Sequence, residues 1–317
     1  MAEREAQMGV VVGGRGAGKT YETLRTQVTN SKNGIPNVMR PQRVLILDSN
    51  NEYGDVQKDH KNPNFPQVKA LDAKDLSRWL KSGAVEVRRI SVMKPISDGG
   101  GKMGQKELQD VLSHILTHYR NGLLVIEDLT SFVSDSLPSD LIGKVATQRH
   151  VSVDIIIHFQ TIGKLAHPKI WSMCNWVRFH KTGDSVEKNK NKLTGDLDAL
   201  YIMEKMIQKQ DRIGNKRFFA YYHRDTNSHL VGKLQGRFSQ QMFKDGVEEF
   251  LADNIGIVNK EINRVILRTG EKVHKTREVA INYLVNECFR KYYGNPDRKP
   301  DIKKIARPDR TSPDSES

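Results

Sequence analysis

Short unbroken apolar runs recur along this chain, separated by segments whose apolar positions fall at helical spacing. The runs at Val10 to Val12, Arg43 to Asp48, Val85 to Val92, Leu123 to Ile126, Asp154 to Phe159 and Trp176 to Phe179 read as strands, most with the continuous hydrophobicity of strands buried on both faces. Between them the pattern changes period. Tyr21 to Asn30, Leu76 to Leu80 and Leu141 to Arg149 read as helices, and Leu108, Val111, Leu112, Ile115, Leu116 and Tyr119 mark one apolar face of a helix from Gln105 to Tyr119. That helix is expected to stop at Asn121-Gly122, where glycine can take the left-handed cap. The glycine cluster Gly99 to Gly101 marks a break in the chain. Strands alternating with helices predict an α/β core, its central sheet mainly parallel and covered by helices.

Past Asp184 the pattern is different. Residues 184–192 form a polar, lysine-rich stretch. Phe218 to His223 and Leu230 to Phe238 read as strands of a hairpin around the turn Asp225 to Ser228, and Gln241 to Tyr293 is mainly helical. The segment from Asn295 is rich in Pro, Asp, Lys, Arg and Ser, a composition expected of a tail. The expected organisation is a core over 1–240, a small helical region over 241–294 and a tail over 295–317.

Charge narrows the choice of partner. Fifty-one Lys and Arg against 38 Asp and Glu give a formal net charge of +13, which favours a polyanion. A hydrophobic fraction of 37% suits a globular chain, and no apolar stretch is long enough to cross a bilayer. The charged start MAEREAQ is unlike a signal peptide, so a cytoplasmic location is expected. Cys174 and Cys288 lack metal-ligand spacing and read as plain thiols.

The candidate chemistry begins at the first strand. Residues 13–20 read GGRGAGKT, a complete Walker A phosphate-binding loop directly after an apolar run. Gly13, Gly16 and Gly18 allow the backbone N–H groups of Gly13, Gly14, Arg15, Gly16, Ala17 and Gly18 to turn inward on phosphate oxygens. Lys19 is expected to reach the β- and γ-phosphates of ATP, Thr20 to place a hydroxyl on Mg²⁺, and a helix opening near Tyr21 to present its positive end.

Such a site also needs carboxylates, and Glu127 and Asp128 follow the apolar run Leu123 to Ile126. Glu127 is expected in the Mg²⁺ water shell and Asp128 at the attacking water. The usual order of such a pair is Asp then Glu, so the two roles can be exchanged. His150, His158 and His180 lack a ligand set, and His158 reads as a core histidine.

The segment from Arg149 to Gln160 resembles the block of FtsK and HerA ATPases in which an arginine precedes a buried strand ending in glutamine, eleven positions on (149 to 160). Asp48 to Tyr53 resembles that family's Asp-x-x-x-Glu-Tyr, with Glu52 as its acid, and Asn175-Trp-Val-Arg178-Phe resembles its next strand. The resemblance covers roughly residues 8–240. It implies a RecA-like core that assembles as a homo-oligomeric ring, a hexamer or pentamer, and moves double-stranded DNA. Arg149 would be the arginine finger reaching a neighbour's γ-phosphate, and Gln160 the sensor of its loss. With no barrel before the core and no membrane anchor, the chain is similar above all to viral genome-packaging ATPases. That implies a capsid or portal-vertex protein as partner, and a place in the host cytoplasm or at the packaging vertex. A plasmid or cellular DNA pump of the same lineage, or a P-loop switch or kinase without a DNA track, are the alternatives.

Two basic groups are candidates for DNA phosphates. One is Lys188, Lys190 and Lys192 in a loop; the other is Lys260, Arg264, Arg268 and Lys272, at intervals of four on an expected helix. A solvated face accounts for either equally well.

Overall fold

The computed structural model describes residues 5–36, 38–49, 53, 68–91, 94, 99–128, 139–165, 168–224 and 233–293, with the side chains at 139–142 and 149 excepted. Two compact units divide these residues: 5–11 with those between 18 and 160, and 12–17 with those between 161 and 293. Glu52, the turn Asp225 to Ser228 and the 295–317 segment lie outside the described residues.

The first unit is built on the strands β1 (Met8–Val12), β2 (Arg43–Asp48), β3 (Ala70–Leu71), β4 (Val87–Ser91), β5 (Gly122–Ile126) and β6 (Val153–Phe159), in the spatial order β3-β4-β2-β5-β6-β1. β2 runs parallel to both β4 and β5, β3 to β4, and β5 to β6. Every residue of β2, β5 and β6 is buried, as their unbroken apolar runs require. Each fully buried Leu or Ile there stabilises the unit by roughly 1.5–3 kcal/mol. The Gln105–His118 helix buries Leu108, Leu112, Ile115 and Leu116, the face predicted from its period. After it, Tyr119 donates its hydroxyl hydrogen to Arg43 O at 2.9 Å, above the start of β5. A Cβ at Gly122 would sit 2.3 Å from that hydroxyl, so the strand must open on glycine.

The helix after the phosphate loop is less regular than its sequence suggested. It runs as α-helix over Lys19–Glu22, widens to π-helix over Thr23–Val28 and returns to α-helix over Thr29–Asn33. Thr29 Oγ1 donates to Leu24 O at 2.8 Å inside this stretch. A π-turn of this kind shifts the side chains beyond it around the axis and is common at functional sites.

In the second unit β7 (Trp176–His180), β8 (Phe219–His223) and β9 (Leu234–Gln235) pair antiparallel. Of the strand expected from Leu230 to Phe238, residues 230–232 lie outside the described residues and the rest is strand only at Leu234–Gln235; Gly236 leaves strand geometry, and Phe238 turns to pack 6.4 Å from the Phe218 ring. The Leu197–Arg212 helix, absent from the expected elements, buries Leu200, Met203, Met206 and Ile207. It packs against Gln240–Asp253 so closely that a Cβ on Gly246 would lie 2.3 Å from Met206 Cγ. The helices Ile255–Ile262 and Arg277–Cys288 follow, and the aromatic rings of Phe243, Phe289 and Tyr293 close this core at centroid spacings of 4.6–5.8 Å. Cys174 and Cys288 are both free thiols.

Among the described residues no helix is long and apolar enough to cross a membrane.

Candidate nucleotide site

The loop leaving β1 turns on two left-handed glycines, Gly16 at φ 76° and Gly18 at φ 89°. Nothing lies within 4 Å of a Cβ built on Gly16, so backbone conformation and not space demands glycine there. Gly14 N donates to Lys181 O at 2.7 Å and Ala17 N to Gly14 O at 3.3 Å, while His180 Nδ1 lies 2.9 Å from Ala17 O. Gly13 and Ala17 are buried; Arg15, Gly16 and Tyr21 are exposed, and Lys19 and Thr20 are half-buried. Gly18 is the N-cap of the helix opening at Lys19.

Strand register aligns the acids within the first unit. Leu47 pairs with Ile126 and Ile126 with Ile157, so Asp48, Glu127 and His158 follow in one row at the carboxyl edge of three parallel strands. Glu127 N donates to Leu47 O at 3.0 Å, and Ser49 Oγ donates to Glu127 O at 2.7 Å.

The Glu127 carboxylate is buried, and its Oε1 is crowded. Thr20 Oγ1 donates to it at 3.3 Å, the Tyr53 hydroxyl donates to it, and His158 Nδ1 lies 2.8 Å away. Burial alone would push this carboxyl up. The charge of His158, the hydrogen bonds from His158 and Tyr53 and the charge of Lys19 outweigh it and hold the carboxyl below its ordinary range. His158 Nε2 lies 2.9 Å from Thr23 Oγ1 on the π-turn. Tyr53 is itself positioned by Asp48, whose Oδ2 accepts from Tyr53 N at 3.2 Å and from Arg89 Nη1 at 3.3 Å. A chain of polar contacts thus runs from Arg89 through Asp48, Tyr53, Glu127 and His158 to the helix that carries Lys19 and Thr20.

Asp128 is different in kind. It takes φ 48°, a left-handed conformation that costs a non-glycine residue of order 1–3 kcal/mol and is common at working sites. Its Oδ2 accepts a hydrogen bond from Gln160 Nε2 at 2.9 Å. His158 lies in β6 and Gln160 one residue beyond its end, so this strand and its exit deliver one contact to each acid.

Arg149 lies in the 3₁₀ turn Gln148–Val151 that feeds β6; its side chain is outside those described. Lys188 sits in a short helix, Val186–Asn189, capped by Ser185, and not in the expected loop. Lys190 is paired with Glu187, and Lys192 is exposed. The expected helical stripe of Lys260, Arg264, Arg268 and Lys272 does not form. The helix ends at Ile262, and Gly270 at φ 70° lets the chain fold back so that Val273 N donates to Arg264 O at 2.9 Å.

His158 read as a core histidine, which its burial and its contacts with Glu127 and Thr23 bear out. Sequence reading named Tyr53 only as the end of the Asp48 to Tyr53 motif and gave Arg89 no role. Only the strand register shows that His158 falls beside Glu127.

No family model matches the chain, and no curated protein does. Among solved structures, it is similar to the genome-packaging NTPase B204 of Sulfolobus turreted icosahedral virus 2 in complex with AMP, at 14% identity over 73% of this chain and 96% of that one, with a TM-score of 0.44. It is also similar to the N-terminal domain of zonular occludens toxin from Neisseria meningitidis, at 11% identity over 70% of this chain and 96% of that one, TM-score 0.31. A third similar structure is the pCW3 conjugation coupling protein TcpA with ATPγS, at 10% identity over 69% of this chain and 58% of that one, TM-score 0.37. At these values the chain's own residues carry the functional reading.

Proposed function

We propose that this protein is an ATPase that uses hydrolysis to move double-stranded DNA, in the manner of viral genome-packaging motors. The observation that carries the ATPase reading is the constellation at one sheet edge. A glycine-rich loop ends in Lys19 and Thr20, Thr20 reaches the buried Glu127, and Asp128 stands beside it in contact with Gln160.

In this reading the N–H groups of residues 13–18 and the Lys19 ammonium hold the ATP phosphates. Thr20 and Glu127 fit the requirement for Mg²⁺, since a hydroxyl and an ionised carboxylate already meet at 3.3 Å. When bound, Mg²⁺ would neutralise charge on the β- and γ-phosphate oxygens. Asp128 accepts a proton from water as that water attacks the γ-phosphorus. The bond from γ-phosphorus to the β-bridging oxygen breaks, giving ADP and phosphate. Gln160, tied to Asp128, senses the loss of the γ-phosphate and passes it into β6. Arg149 acts on the nucleotide of a neighbouring copy in a ring, where a guanidinium stabilises charge on the transferring phosphoryl group.

The DNA track is supported by the +13 net charge and by exposed cations on the second unit, among them Lys188, Lys192 and Arg268. Displacement of a third strand from a triplex tests the reading. A duplex translocase strips a triplex-forming oligonucleotide when given ATP and fails to do so with a non-hydrolysable analogue. Triplex that survives active ATP turnover would leave an ATPase without a track, a switch or a kinase.

A further inference from the structure

Residues 264–273 form a small antiparallel finger between two helices. Val273 N donates to Arg264 O at 2.9 Å, Ile266 N to Glu271 O at 2.8 Å and Gly270 N to Ile266 O at 2.7 Å. Its base is fixed. The Glu261 carboxylate accepts from Arg264 Nη1 at 3.0 Å and lies 2.8 Å from Nε2 of the buried His274, whose ring packs 4.9 Å from that of Tyr283.

The tip is exposed. Leu267 is fully exposed at 101%, and Val265, Ile266 and Val273 are exposed with it. Isolated apolar residues on a surface are ordinary, but four on one ten-residue finger make a patch that favours a partner. Around the patch stand exposed cations: Arg268 and Lys272 on the finger, Lys275 and Arg277 at its foot. Among the described residues neither Arg268 nor Lys272 has an ion pair. Glu271 is the finger's only acid. Lysine is depleted in protein–protein interfaces, whereas an apolar wedge with cations on both sides suits nucleic acid: the wedge parts a base step while the cations hold phosphates.

We propose that the 264–273 finger engages duplex DNA, with Leu267 entering the minor groove against a base step and Arg268 and Lys272 holding the flanking phosphates. The proposal rests on the DNA-translocase reading and supplies it with a contact element. The grip is independent of sequence, because the wedge reads a groove and the cations read a backbone.

The test uses the full chain and a mixed-sequence duplex carrying 2-aminopurine, titrated over a range of salt concentrations. Wild-type binding raises 2-aminopurine fluorescence, because parted bases are unstacked. Leu267→Ala abolishes that rise and weakens binding roughly tenfold, a loss of about 1.4 kcal/mol, with the salt slope unchanged. Arg268→Gln with Lys272→Gln lowers the slope of log affinity against log salt by about 2. All of these positions are exposed, so unchanged thermal unfolding midpoints certify that the variants fold. If wild type binds duplex and both variants bind it equally well with the same slope, the finger assignment is wrong and the translocase reading stands. Loss of capture of the capsid protein with DNA binding intact assigns the finger to a protein and also overturns the proposal. Wild type that binds no duplex removes both readings together.

Discussion

Gln160 donates a hydrogen bond from Nε2 to Asp128 Oδ2 across 2.9 Å, joining the end of β6 to the left-handed residue just beyond β5. Two adjacent acids therefore have separate supports. Glu127 meets Thr20, Tyr53 and His158 in the interior, and Asp128 meets the exposed Gln160 amide at the edge. Both acids are buried, Glu127 the more deeply; Glu127 suits a fixed role beside a metal, and Asp128, at the edge beside the exposed Gln160, suits an acid that must meet water.

Asp128→Asn is expected to bind ATP normally and to lose turnover by roughly 10²–10⁴-fold, the range for removing a general base. Gln160→Ala should bind ATP and hydrolyse it with a smaller loss, while the dependence of rate on duplex DNA disappears. Steady-state phosphate release and equilibrium binding of a fluorescent ATP analogue separate these effects. A fully active Asp128→Asn beside an inactive Glu127→Gln would exchange the two roles.

The support around Glu127 has a consequence for pH. Its carboxyl lies below the ordinary range in the folded protein, so its ionised form contributes stability that is fully present above the unfolded value of about 4.3 and is lost as pH falls through the lower folded value. Urea unfolding followed from about pH 5 downward should show Glu127→Gln losing less stability per pH unit than wild type, by up to about 1.4 kcal/mol. Equal slopes would contradict the arrangement. Tyr53→Phe removes one donor from the buried carboxylate and should cost about 1–3 kcal/mol at neutral pH.

Packing in the second unit depends on Gly246. Any side chain there meets Met206 on the facing helix, so Gly246→Leu should destabilise by at least about 1–3 kcal/mol through overpacking. Denaturant melts of Gly246→Leu and of Gly246→Leu with Met206→Ala check this, since the double variant should recover part of the loss. No recovery would place the cost elsewhere.

Arg149→Ala should be inactive as a uniform assembly. Mixed with a Lys19→Ala partner that still carries Arg149, it should regain part of its turnover, because the arginine then arrives from the neighbour. Mixtures no more active than the sum of their parts would argue against action in trans.

The parts of the site that were legible in the sequence are local ones. The GGRGAGKT loop, the apolar run ending in Glu127-Asp128 and the strand ending in Gln160 each carry their signal within a few residues. What was hidden is set by pairing between distant segments. His158 is unremarkable until β6 is registered on β5, and Tyr53 acquires its role only because Asp48 turns its backbone toward Glu127. The stripe from Lys260 to Lys272 failed for another reason. Spacing by four fits a helix, but the β-branched pair Val265-Ile266 and the Thr269-Gly270 turn favour a hairpin, and the local turn chemistry prevailed. In the Leu197–Arg212 helix the apolar positions do have helical period; the basic and acidic residues dispersed among them gave the segment the look of the polar stretch before it.

The most direct measurement of the central claim is the rate of ATP hydrolysis with and without duplex DNA, on one preparation of the full-length protein, with Lys19→Ala as the control for contaminating activity. The account predicts slow turnover alone, a several-fold rise on adding duplex, and no hydrolysis above background from Lys19→Ala in either condition. Turnover that ignores duplex DNA, or that survives in Lys19→Ala, would contradict it.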